Sequence, residues 1–257
     1  MTADVLHALI RNLQATAALG RETVPAGPFR AYFARDNSDY LLSVAVPVEA
    51  SDDWPGAVAG LLRMFHERGR MVRLEYFAEC FPALTPVLEV AGIRREATAA
   101  VMTLRASDLR VRRLREDVGV EILKPGDDQA VTNLLNVMAR CFDLGNRDSL
   151  TGWRTILSLG LADGSIRAAL ARVDGEIVGG ANLLVGGGSA ELAGVGTLPG
   201  QRRRGLATGL CYRLLADYFA HGHRLAWLST GQEIRTLYDR LGFQAVGTQL
   251  NYGLRRR

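Results

Sequence analysis

The sequence contains almost no lysine, since 30 of its 31 basic residues are arginine and Lys124 is the exception. In so arginine-rich a chain, runs such as Arg202–Arg204 and Arg255–Arg257 carry less information than they would elsewhere. The charge is also evenly divided: residues 1–115 hold 15 basic and 13 acidic side chains, residues 116–257 hold 16 and 14, and each half carries +2. Without a basic domain, nucleic-acid binding is not expected.

Cysteine is scarce and irregularly placed. Cys80, Cys141 and Cys211 form an odd, widely spaced set without a Cys-x-x-Cys pair, which argues against a disulfide framework and a structural zinc site. Cys211 falls on the apolar face of a predicted helix, so we interpret it as a small core residue.

A His-x-His pattern is the main sequence feature that suggests a metal. His221 and His223 flank Gly222, a glycine suited to the C-cap of a helix. Because no carboxylate cluster lies nearby, we interpret the pair as solvated turn residues and expect no metal site.

Long apolar runs are also missing. No window reaches the roughly 18 consecutive apolar residues that a membrane span needs. The first ten residues include Asp4 and form an amphipathic pattern, without the basic start and cleavage site of a signal peptide. With 48% apolar and 23% charged residues, the composition is that of an ordinary globular protein. We therefore expect a soluble, cytoplasmic protein with no membrane partner.

The second half alternates predicted strands and helices, which indicates an α/β fold with a mixed sheet. The predicted strands are Val118–Leu123, Ile166–Val173, Ile177–Val185, Ala190–Leu198, Leu225–Leu228, Phe243–Val246 and Gln249–Leu254. The predicted helices are Gln129–Phe142, Leu150–Leu159, Arg204–Ala220 and Glu233–Leu241. Turn residues between the second, third and fourth strands predict an antiparallel meander.

A glycine-containing turn links the end of this meander to the next helix. The pattern Arg202-x-x-Gly205-x-Ala207 places small residues where the helix begins. The first four backbone N–H groups of a helix lack intrahelical partners and lie at its positive dipole end. A glycine-rich approach lets phosphate oxygens reach them, so the pattern predicts a phosphate-binding cradle.

The element order and two motifs resemble the GNAT superfamily of N-acetyltransferases over about residues 118–254. Arg202, Gly205 and Ala207 meet the family's Gln/Arg-x-x-Gly-x-Gly/Ala signature. The stretch Leu237–Phe243, Leu-Tyr-Asp-Arg-Leu-Gly-Phe, is similar to the family's Leu-Tyr-x-x-Leu-Gly-Phe. Two motifs in the expected order form a strong signal, and the implied fold is the GNAT acyl-CoA N-acyltransferase fold.

The resemblance implies acetyl-coenzyme A as cofactor and a set of residues that bind it. These residues are Val195, Gly196, Thr197, Arg202, Arg203, Arg204, Gly205, Leu206, Ala207 and Thr208. In the family, the strand before the cradle splays from its neighbour and offers backbone groups to the pantetheine arm. The glycines at positions 194 and 196 suit a bulge or a close backbone approach there.

Two catalytic residues are also implied by the resemblance. Tyr238 resembles the family's general acid, although a packing aromatic is the alternative interpretation. Glu191 lies on the strand where many relatives carry a general base, and alternation puts it on one face with Val195 and Thr197. The family often has Asn seven residues before the tyrosine, whereas this chain has Gly231, so a side-chain contact to the cofactor at that position is in doubt.

The first half carries a weaker copy of the same pattern. Residues 61–74 align without gaps with residues 214–227, and a second match lies at an offset of 150 residues. We therefore predict a tandem: a degenerate GNAT-like domain at 1–115 and the acetyltransferase domain at 116–257. In place of the cradle, residues 51–57 contain two acidic residues and a Trp, so we expect no cofactor there. We assign this half a structural and substrate-shaping role. Only two strands, Phe29–Arg35 and Tyr40–Val46, are predicted before its helix.

The favoured function is acetyl transfer from acetyl-CoA to a primary amine. A catalytically silent acyl-CoA-binding regulatory module is the alternative. The acceptor stays open between a small molecule, a peptide N-terminus and a lysine side chain, and so does the oligomeric state. Phe142 and Trp153 are candidates either for the acceptor pocket or for the core.

Overall fold

The structure, a computed structural model, describes residues 2–35, 42–113, 116–144 and 147–254, and for residues 2–3 and 147–151 it describes the backbone alone. Its helices are α1 Thr2–Ala17, α2 Trp54–Glu67, α3 Leu84–Val90, α4 Asp128–Phe142, α5 Arg147–Asp163, α6 Leu206–Ala220 and α7 Arg235–Leu241. Its strands are β1 Arg21–Ala26, β2 Phe29–Ala34, β3 Val44–Pro47, β4 Arg73–Phe77, β5 Arg94–Arg105, β6 Val118–Ile122, β7 Ile166–Val173, β8 Glu176–Gly186, β9 Ser189–Thr197, β10 Leu225–Thr230 and β11 Gln244–Gly253.

The strands form one open, mixed sheet in the order β1-β2-β3-β4-β11-β5-β10-β9-β8-β7-β6. The pairs β3/β4 and β9/β10 are parallel, and the other neighbouring pairs are antiparallel. No helix in the described part of the chain is long and apolar enough to cross a membrane.

The same succession of elements occurs twice, which confirms the predicted tandem fold. The order β1-β2-β3-α2-β4-α3-β5 of the first half is repeated as β7-β8-β9-α6-β10-α7-β11 in the second. The strands β4 and β10 begin at Arg73 and Leu225, within one residue of the spacing in the sequence alignment of residues 61–74 with 214–227.

The two halves exchange their last strands. Strand β11 of the second half lies between β4 and β5 of the first, and β5 in turn lies between β11 and β10. The β5–β11 pairing runs from Gln244↔Thr103 to Gly253↔Arg94. Each half is therefore completed by a strand from the other, and the sheet is continuous through both.

Capping residues fix where two of the helices begin. The Asp53 carboxylate accepts a hydrogen bond from the backbone N–H of Gly56 at 2.9 Å and starts α2. The Asp127 carboxylate accepts one from Ala130 at 2.8 Å and starts α4. Such caps satisfy N–H groups that the helix itself leaves without partners.

Three clusters of buried apolar residues form the core. One lies in the first half and includes Trp54 and Phe65, and one surrounds α6 in the second half and includes Cys211. The third packs α4 and α5 onto β7 and includes Leu134 and Ile156. Cys211 is completely buried, in agreement with its interpretation as a core residue.

Several sequence predictions need correction. The two predicted C-terminal strands are one strand, β11, with a bulge between Ala245 and Gly247 where the chain was expected to turn. The first half has three strands before its helix, because the exposed strand β1 was missed. Helix α5 is longer than Leu150–Leu159. The predicted strand Tyr40–Val46 partly lies outside the described residues, and Arg255–Arg257 lies wholly outside them.

Candidate active site

The strands β9 and β10 separate in the middle of the sheet. Their parallel pairing consists of Ala190↔Ala226 and Glu191↔Trp227, although β9 continues to Thr197. Glu191 thus lies at the last paired position, where the two strands begin to diverge. Two neighbouring parallel strands that diverge leave backbone N–H and C=O groups available to a ligand.

A bulge lies immediately beyond this point. Strand β9 pairs with β8 through Asn182↔Ala193 and then Gly180↔Gly196, so three steps along β9 match two along β8. Gly194 has a φ of +58°, in the left-handed region. The expected bulge is therefore present. It interrupts the alternation of side chains along β9, so that Glu191 lies on one side of the bulge and Val195 and Thr197 lie on the other.

The cradle follows β9 directly. The chain passes through a 3-10 turn at Pro199–Gln201 and reaches α6, whose N-cap is Gly205. Gly205 has a φ of +78°, and a Cβ there would meet nothing within 4 Å, so the backbone conformation rather than space favours glycine. No side chain caps α6, which leaves its first backbone N–H groups open to a ligand.

These elements line one side of a cleft of about 710 Å³, here called the cradle cleft. Its lining includes Val195, Gly196, Thr197, Arg202, Arg203, Gly205, Leu206, Ala207, Thr208, Glu233 and Tyr238. The structure thus brings together nine of the ten residues proposed for cofactor binding. Arg204 is the tenth: its guanidinium contacts the side chain of Gln201 and lies 3.6 Å from Asp117.

Arg202 has a structural contact that the motif alone does not reveal. Its guanidinium Nε donates to the carbonyl of Thr197 at 3.1 Å, and its Nη2 donates to the carbonyl of Cys141 at 3.3 Å. The side chain therefore ties the end of α4 to the end of β9. This contact holds the wall of the cleft in place.

The chemistry of the cradle cleft fits coenzyme A. Open helix N–H groups beside Arg203 suit a pyrophosphate. The hydroxyl of Thr197 is buried without a hydrogen-bond partner in the described structure, which is costly unless a ligand satisfies it. The space beside Gly205 is open, since a Cβ there would meet no atom within 4 Å.

Tyr238 lies on α7 at the far wall of the same cleft. Its side chain is 6% exposed, and its ring packs edge-on against Phe243 at 5.9 Å. Gly242 has a φ of +106° and ends α7, which places Phe243 under the tyrosine. Burial, with a smaller contribution from Cys211, raises the pKa of Tyr238 above its usual value, so the phenol keeps its proton at neutral pH.

Glu191 lines a second cavity, of about 380 Å³, here called the inter-half cavity. Its walls come from both halves: α1, β3 and β4 from the first, and α4, α5, β8 and β9 from the second. Burial raises the pKa of Glu191 to about 8, and the nearby Glu75 carboxylate adds to the increase. A carboxyl group in this state is a candidate proton acceptor.

The cleft and the cavity are adjacent at two places. Phe142, at the end of α4, lines both of them. On β9, Gly194 lines the inter-half cavity while the next residue, Val195, lines the cradle cleft. A ligand in the cleft and a ligand in the cavity would therefore approach each other across the bulge, between Tyr238 on one side and Glu191 on the other.

The structure also locates the less certain candidates. Phe142 and Trp153 both line the inter-half cavity, and Trp153 in addition packs against the α4–α5 core. Gly231 lies beside Glu233, whose carboxylate a Cβ at position 231 would meet at 2.4 Å. A larger residue at 231 thus requires Glu233, a wall residue of the cradle cleft, to move.

The two histidines have partners within the protein. His223 stacks on Tyr218 with ring centroids 4.2 Å apart, and Nδ1 of His221 lies 2.7 Å from the carbonyl of Asp217. Among the described residues, no group of three or more His, Cys, Asp and Glu side chains is arranged to hold a metal ion.

The counterpart of the cradle in the first half is filled by its own side chains. The Asp53 carboxylate occupies the N-terminus of α2 through its bond to Gly56. Trp54 is buried and packs edge-on against Phe81 with centroids 6.1 Å apart. An anion at this helix terminus would have to displace a carboxylate that already satisfies it.

Three charged residues of the inter-half cavity, Arg21, Arg73 and Glu75, were not predicted from the sequence. Arg73 and Glu75 alternate with buried Leu74 and Tyr76 on β4. This alternation predicts that the two charges share a face, but their meeting with Glu191 depends on how the halves pack.

The comparisons with known proteins agree with this geometry. A sequence model of the acetyltransferase (GNAT) family matches residues 133–243, from α4 to the start of β11. Residues 133–243 therefore match the sequence pattern of a GNAT domain. Both motifs that suggested the family lie inside the matched range, and the second-half elements around them have the GNAT fold. Among curated proteins, no match to the chain is significant.

Solved structures extend the likeness to the whole chain. A GCN5-related N-acetyltransferase from Kribbella flavida is 25% identical with a TM-score of 0.79, and the match covers 100% of this chain and 96% of that one. A GCN5-related N-acetyltransferase from Sphaerobacter thermophilus is 18% identical with a TM-score of 0.66, covering 88% and 76%. A tandem GNAT protein from the clavulanic acid biosynthesis pathway is 13% identical with a TM-score of 0.59, covering 88% and 78%. The GNAT-like fold thus includes both halves.

Proposed function

We propose that the protein is an N-acetyltransferase that moves an acetyl group from acetyl-CoA directly to a primary amine. The observation that carries this proposal is that the cradle cleft and the inter-half cavity lie next to each other and share Phe142 as a lining residue. The cradle cleft suits the cofactor, and the inter-half cavity suits an acceptor. Tyr238 lines the cleft and Glu191 lines the cavity, so each compartment has one candidate proton-transfer group.

The residues of the cradle would hold the cofactor. Backbone N–H groups from Arg203 to Thr208 would bind the pyrophosphate. The backbone groups of Val195–Thr197 that point away from β8, where β10 no longer pairs with β9, would bind the pantetheine arm. When bound, acetyl-CoA supplies the thioester whose acetyl group is transferred. A backbone N–H at the bulge is suited to the thioester oxygen, where negative charge develops during the reaction.

Tyr238 holds a proton on the cofactor side. Its raised pKa keeps the hydroxyl protonated through the neutral range. A departing thiolate is a strong base, and a phenol within reach can neutralise it as the charge appears. The apolar packing against Phe243 and Cys211 fixes the ring and limits access of water.

Glu191 accepts a proton on the acceptor side through the fraction of it that is ionised near neutral pH. A primary amine is mostly an ammonium ion at neutral pH, and only its neutral form can attack. A glutamate with a pKa of about 8 is a stronger base than an ordinary glutamate, so deprotonation of the ammonium costs less free energy.

The acetyl transfer exchanges one bond of the acetyl carbon for another. The amine nitrogen forms a bond to the acetyl carbon as the thioester C–S bond breaks. The ammonium ion loses two protons in total: Glu191 takes the first as the neutral amine forms and passes it to solvent, and the second replaces the proton that Tyr238 gives to the sulfur. The products are an acetylated amine and a free thiol, with no oxidation or reduction.

The two halves of the chain would then have different roles. Residues 116–257 form the acetyltransferase domain with the cradle, and residues 1–115 form a GNAT-like domain that shapes the acceptor site without a cofactor of its own. The side chains of Val44, Val46, Arg73 and Glu75 in the inter-half cavity support this assignment, as does the filled N-terminus of α2.

A thiol-release assay tests the proposal. The full chain is given acetyl-CoA and a panel of primary amines, and free thiol is followed beside the melting temperature. We expect acetyl-CoA to raise the melting temperature and at least one amine to release thiol well above the rate without amine. A protein that acetyl-CoA stabilises but that acetylates no amine would instead be a silent acyl-CoA-binding module. No stabilisation at millimolar acetyl-CoA would contradict the cofactor assignment itself.

A further inference from the structure

The inter-half cavity combines an apolar wall with a small set of charges. Its charged lining consists of Arg21, Arg73, Glu75 and Glu191. Most of the remaining lining is apolar and includes Leu135, Met138, Leu144, Trp153, Ile156 and Leu157. Charges in an apolar cavity require partners, so their arrangement restricts what the cavity binds.

Arg73 and Glu75 form an ion pair on one face of β4. Both side chains are mostly buried, with exposures of 15% and 20%. In the described part of the protein, the carboxylate of Glu75 is the hydrogen-bonding partner of the Arg73 guanidinium. Since a guanidinium carries five N–H donors, Arg73 has donors left for a ligand.

Arg21 brings a second buried guanidinium to the cavity. Its Nε donates to the carbonyl of Leu42 and its Nη1 to the carbonyl of Ala17, both at 2.8 Å. The guanidinium lies 6.0 Å from the ring centroid of Trp153. Burial lowers the pKa of Arg21 to about 10, a value at which it is still charged at neutral pH. Neutral carbonyls orient this cation but do not balance its charge.

The cavity therefore carries an excess positive charge at neutral pH. Arg21 and Arg73 contribute two positive charges and Glu75 one negative charge, while Glu191, with its raised pKa, is mostly protonated. An acceptor that is only an ammonium ion adds to this imbalance. An acceptor that enters with a neutral amine and a carboxylate carries one negative charge and balances the excess.

Size and wall chemistry define the rest of the acceptor. A cavity of about 380 Å³ is at the small end of ligand sites and suits a molecule of amino-acid size. Trp153, Met138 and the surrounding Leu and Ile residues offer contacts to a large apolar group. Coverage by α1, α4 and α5 leaves little room for a folded protein partner.

We propose, resting on the acetyl-transfer function above, that the acceptor is a free α-amino acid with a large apolar side chain. Its amine lies toward Glu191 and the bulge, its carboxylate toward Arg73 and Arg21, and its side chain against Trp153 and Met138. The reaction product is the corresponding N-acetylated amino acid.

Matched pairs of acceptors test this inference. L-phenylalanine and L-leucine are compared with phenethylamine and isoamylamine, which lack the carboxylate, and with glycine and L-alanine, which lack the apolar side chain. The thiol-release assay is used. We expect kcat/KM for the two large amino acids to exceed that of the decarboxylated analogues by about 10- to 100-fold, the usual effect of losing a hydrogen bond to a charged group. Decarboxylated amines that react as well as the amino acids would overturn the inference while leaving acetyl transfer intact.

Variants identify the carboxylate site. Arg73→Gln should lower kcat/KM for L-phenylalanine about 10- to 100-fold and should change that for phenethylamine by less than about threefold. Arg172→Gln, at an exposed ion pair with Glu121, is the matched control and should change neither. Equal losses on both acceptors would contradict carboxylate recognition by Arg73. Arg21→Lys, which keeps the charge, repeats the comparison if Arg73→Gln fails to fold.

Binding without the cofactor separates the two proposals. L-phenylalanine alone is titrated into the full chain by calorimetry, with the wild type and Arg73→Gln compared. Binding that Arg73→Gln weakens about 10-fold or more supports the inference even if no acetyl transfer is found, in which case the proposed function has failed. Absence of amino-acid binding in a protein that acetylates other amines would overturn the inference alone. Preference for a peptide that begins with phenylalanine over the free amino acid would also overturn it.

Discussion

The indole Nε1 of Trp227 donates a 2.8 Å hydrogen bond to Oδ1 of Asn12 and thereby ties strand β10 of the second half to helix α1 of the first. The amide nitrogen of Asn12 lies 2.8–3.1 Å from three carbonyl oxygens, those of Leu184, Gly186 and Ser189. Asn12 and Trp227 are both fully buried. This amide therefore fixes α1, a wall of the inter-half cavity, against the β8–β9 hairpin.

Replacing Asn12 by Leu should destabilise the protein strongly. The change leaves a buried indole N–H and several carbonyl oxygens without partners, and each such group costs about 1–3 kcal/mol. We expect the free energy of unfolding to fall by at least about 2 kcal/mol in urea titrations. Asn133→Leu, whose side chain bonds Gln129 at the surface of α4, should cost far less. Equal effects of the two changes would show that the buried network contributes little.

The exchange of β5 and β11 predicts that the two halves unfold together. Removal of residues 244–257 takes β11 from between β4 and β5, so both halves lose an internal strand. We expect this variant to lack a cooperative transition, and the full chain to unfold in one transition by circular dichroism and by tryptophan fluorescence. Separate expression of residues 1–115 and 116–257 should give a soluble pair only when both are present. A folded 1–115 fragment on its own would contradict this account.

Gly205→Glu should abolish cofactor binding. The substitution forces a left-handed φ of +78° on a residue with a Cβ, which costs about 1–2 kcal/mol, and adds a negative charge where the phosphates are expected. The rise in melting temperature with acetyl-CoA should disappear. Gly200→Glu is the matched control, since Gly200 is also exposed, has nothing within 4 Å of a Cβ and has no left-handed φ. A normal acetyl-CoA shift in Gly205→Glu would rule out the cradle as the phosphate site.

Glu191 should make the stability of the protein depend on pH. Its folded pKa of about 8 lies above the value of about 4.3 expected in the unfolded chain. Between these two pH values the folded protein binds more protons than the unfolded chain. The contribution of Glu191 to stability is therefore greatest below about pH 4.3 and decreases until about pH 8. The Glu191→Gln variant lacks this ionisable group, so it should not lose this stability as the pH rises. Relative to wild type, its melting temperature should therefore be raised more at pH 8 than at pH 5.

The exposed Glu176 provides the control for this experiment. Glu176→Gln should leave the difference between the two pH values unchanged. A Glu191→Gln variant with the same pH dependence as wild type would indicate that Glu191 is ionised throughout, and would remove it as a base with a raised pKa.

The second half was predictable because its signals are local. The meander β7–β9 alternates and is divided by turn glycines, and the cradle depends on a few neighbouring residues from Arg202 to Ala207. Strand β1 was missed because it is an exposed edge strand that contains Pro25. Strand β11 was divided in two because Gly247 resembles a turn, whereas it lies at a bulge.

The acceptor site was less predictable because it depends on contacts between the halves. Glu75 and Glu191 are more than 100 residues apart in the sequence, and nothing local to either indicates the other. The exchange of β5 and β11, and the packing of α1 against β8, bring the first-half charges to the cavity. Motifs thus located the cradle cleft, whereas the inter-half cavity required the tertiary structure.

Turnover and binding by Tyr238→Phe test the central claim most directly. The change keeps the ring packed against Phe243 and removes only the hydroxyl. We expect kcat for acetyl transfer to fall about 10²- to 10⁴-fold, the usual range for a general acid, with acetyl-CoA affinity close to that of wild type. Tyr212→Phe, on α6 outside both compartments, should leave kcat and acetyl-CoA affinity unchanged. If Tyr238→Phe instead acetylates amines at the wild-type rate, the proposed proton transfer across the cleft is wrong.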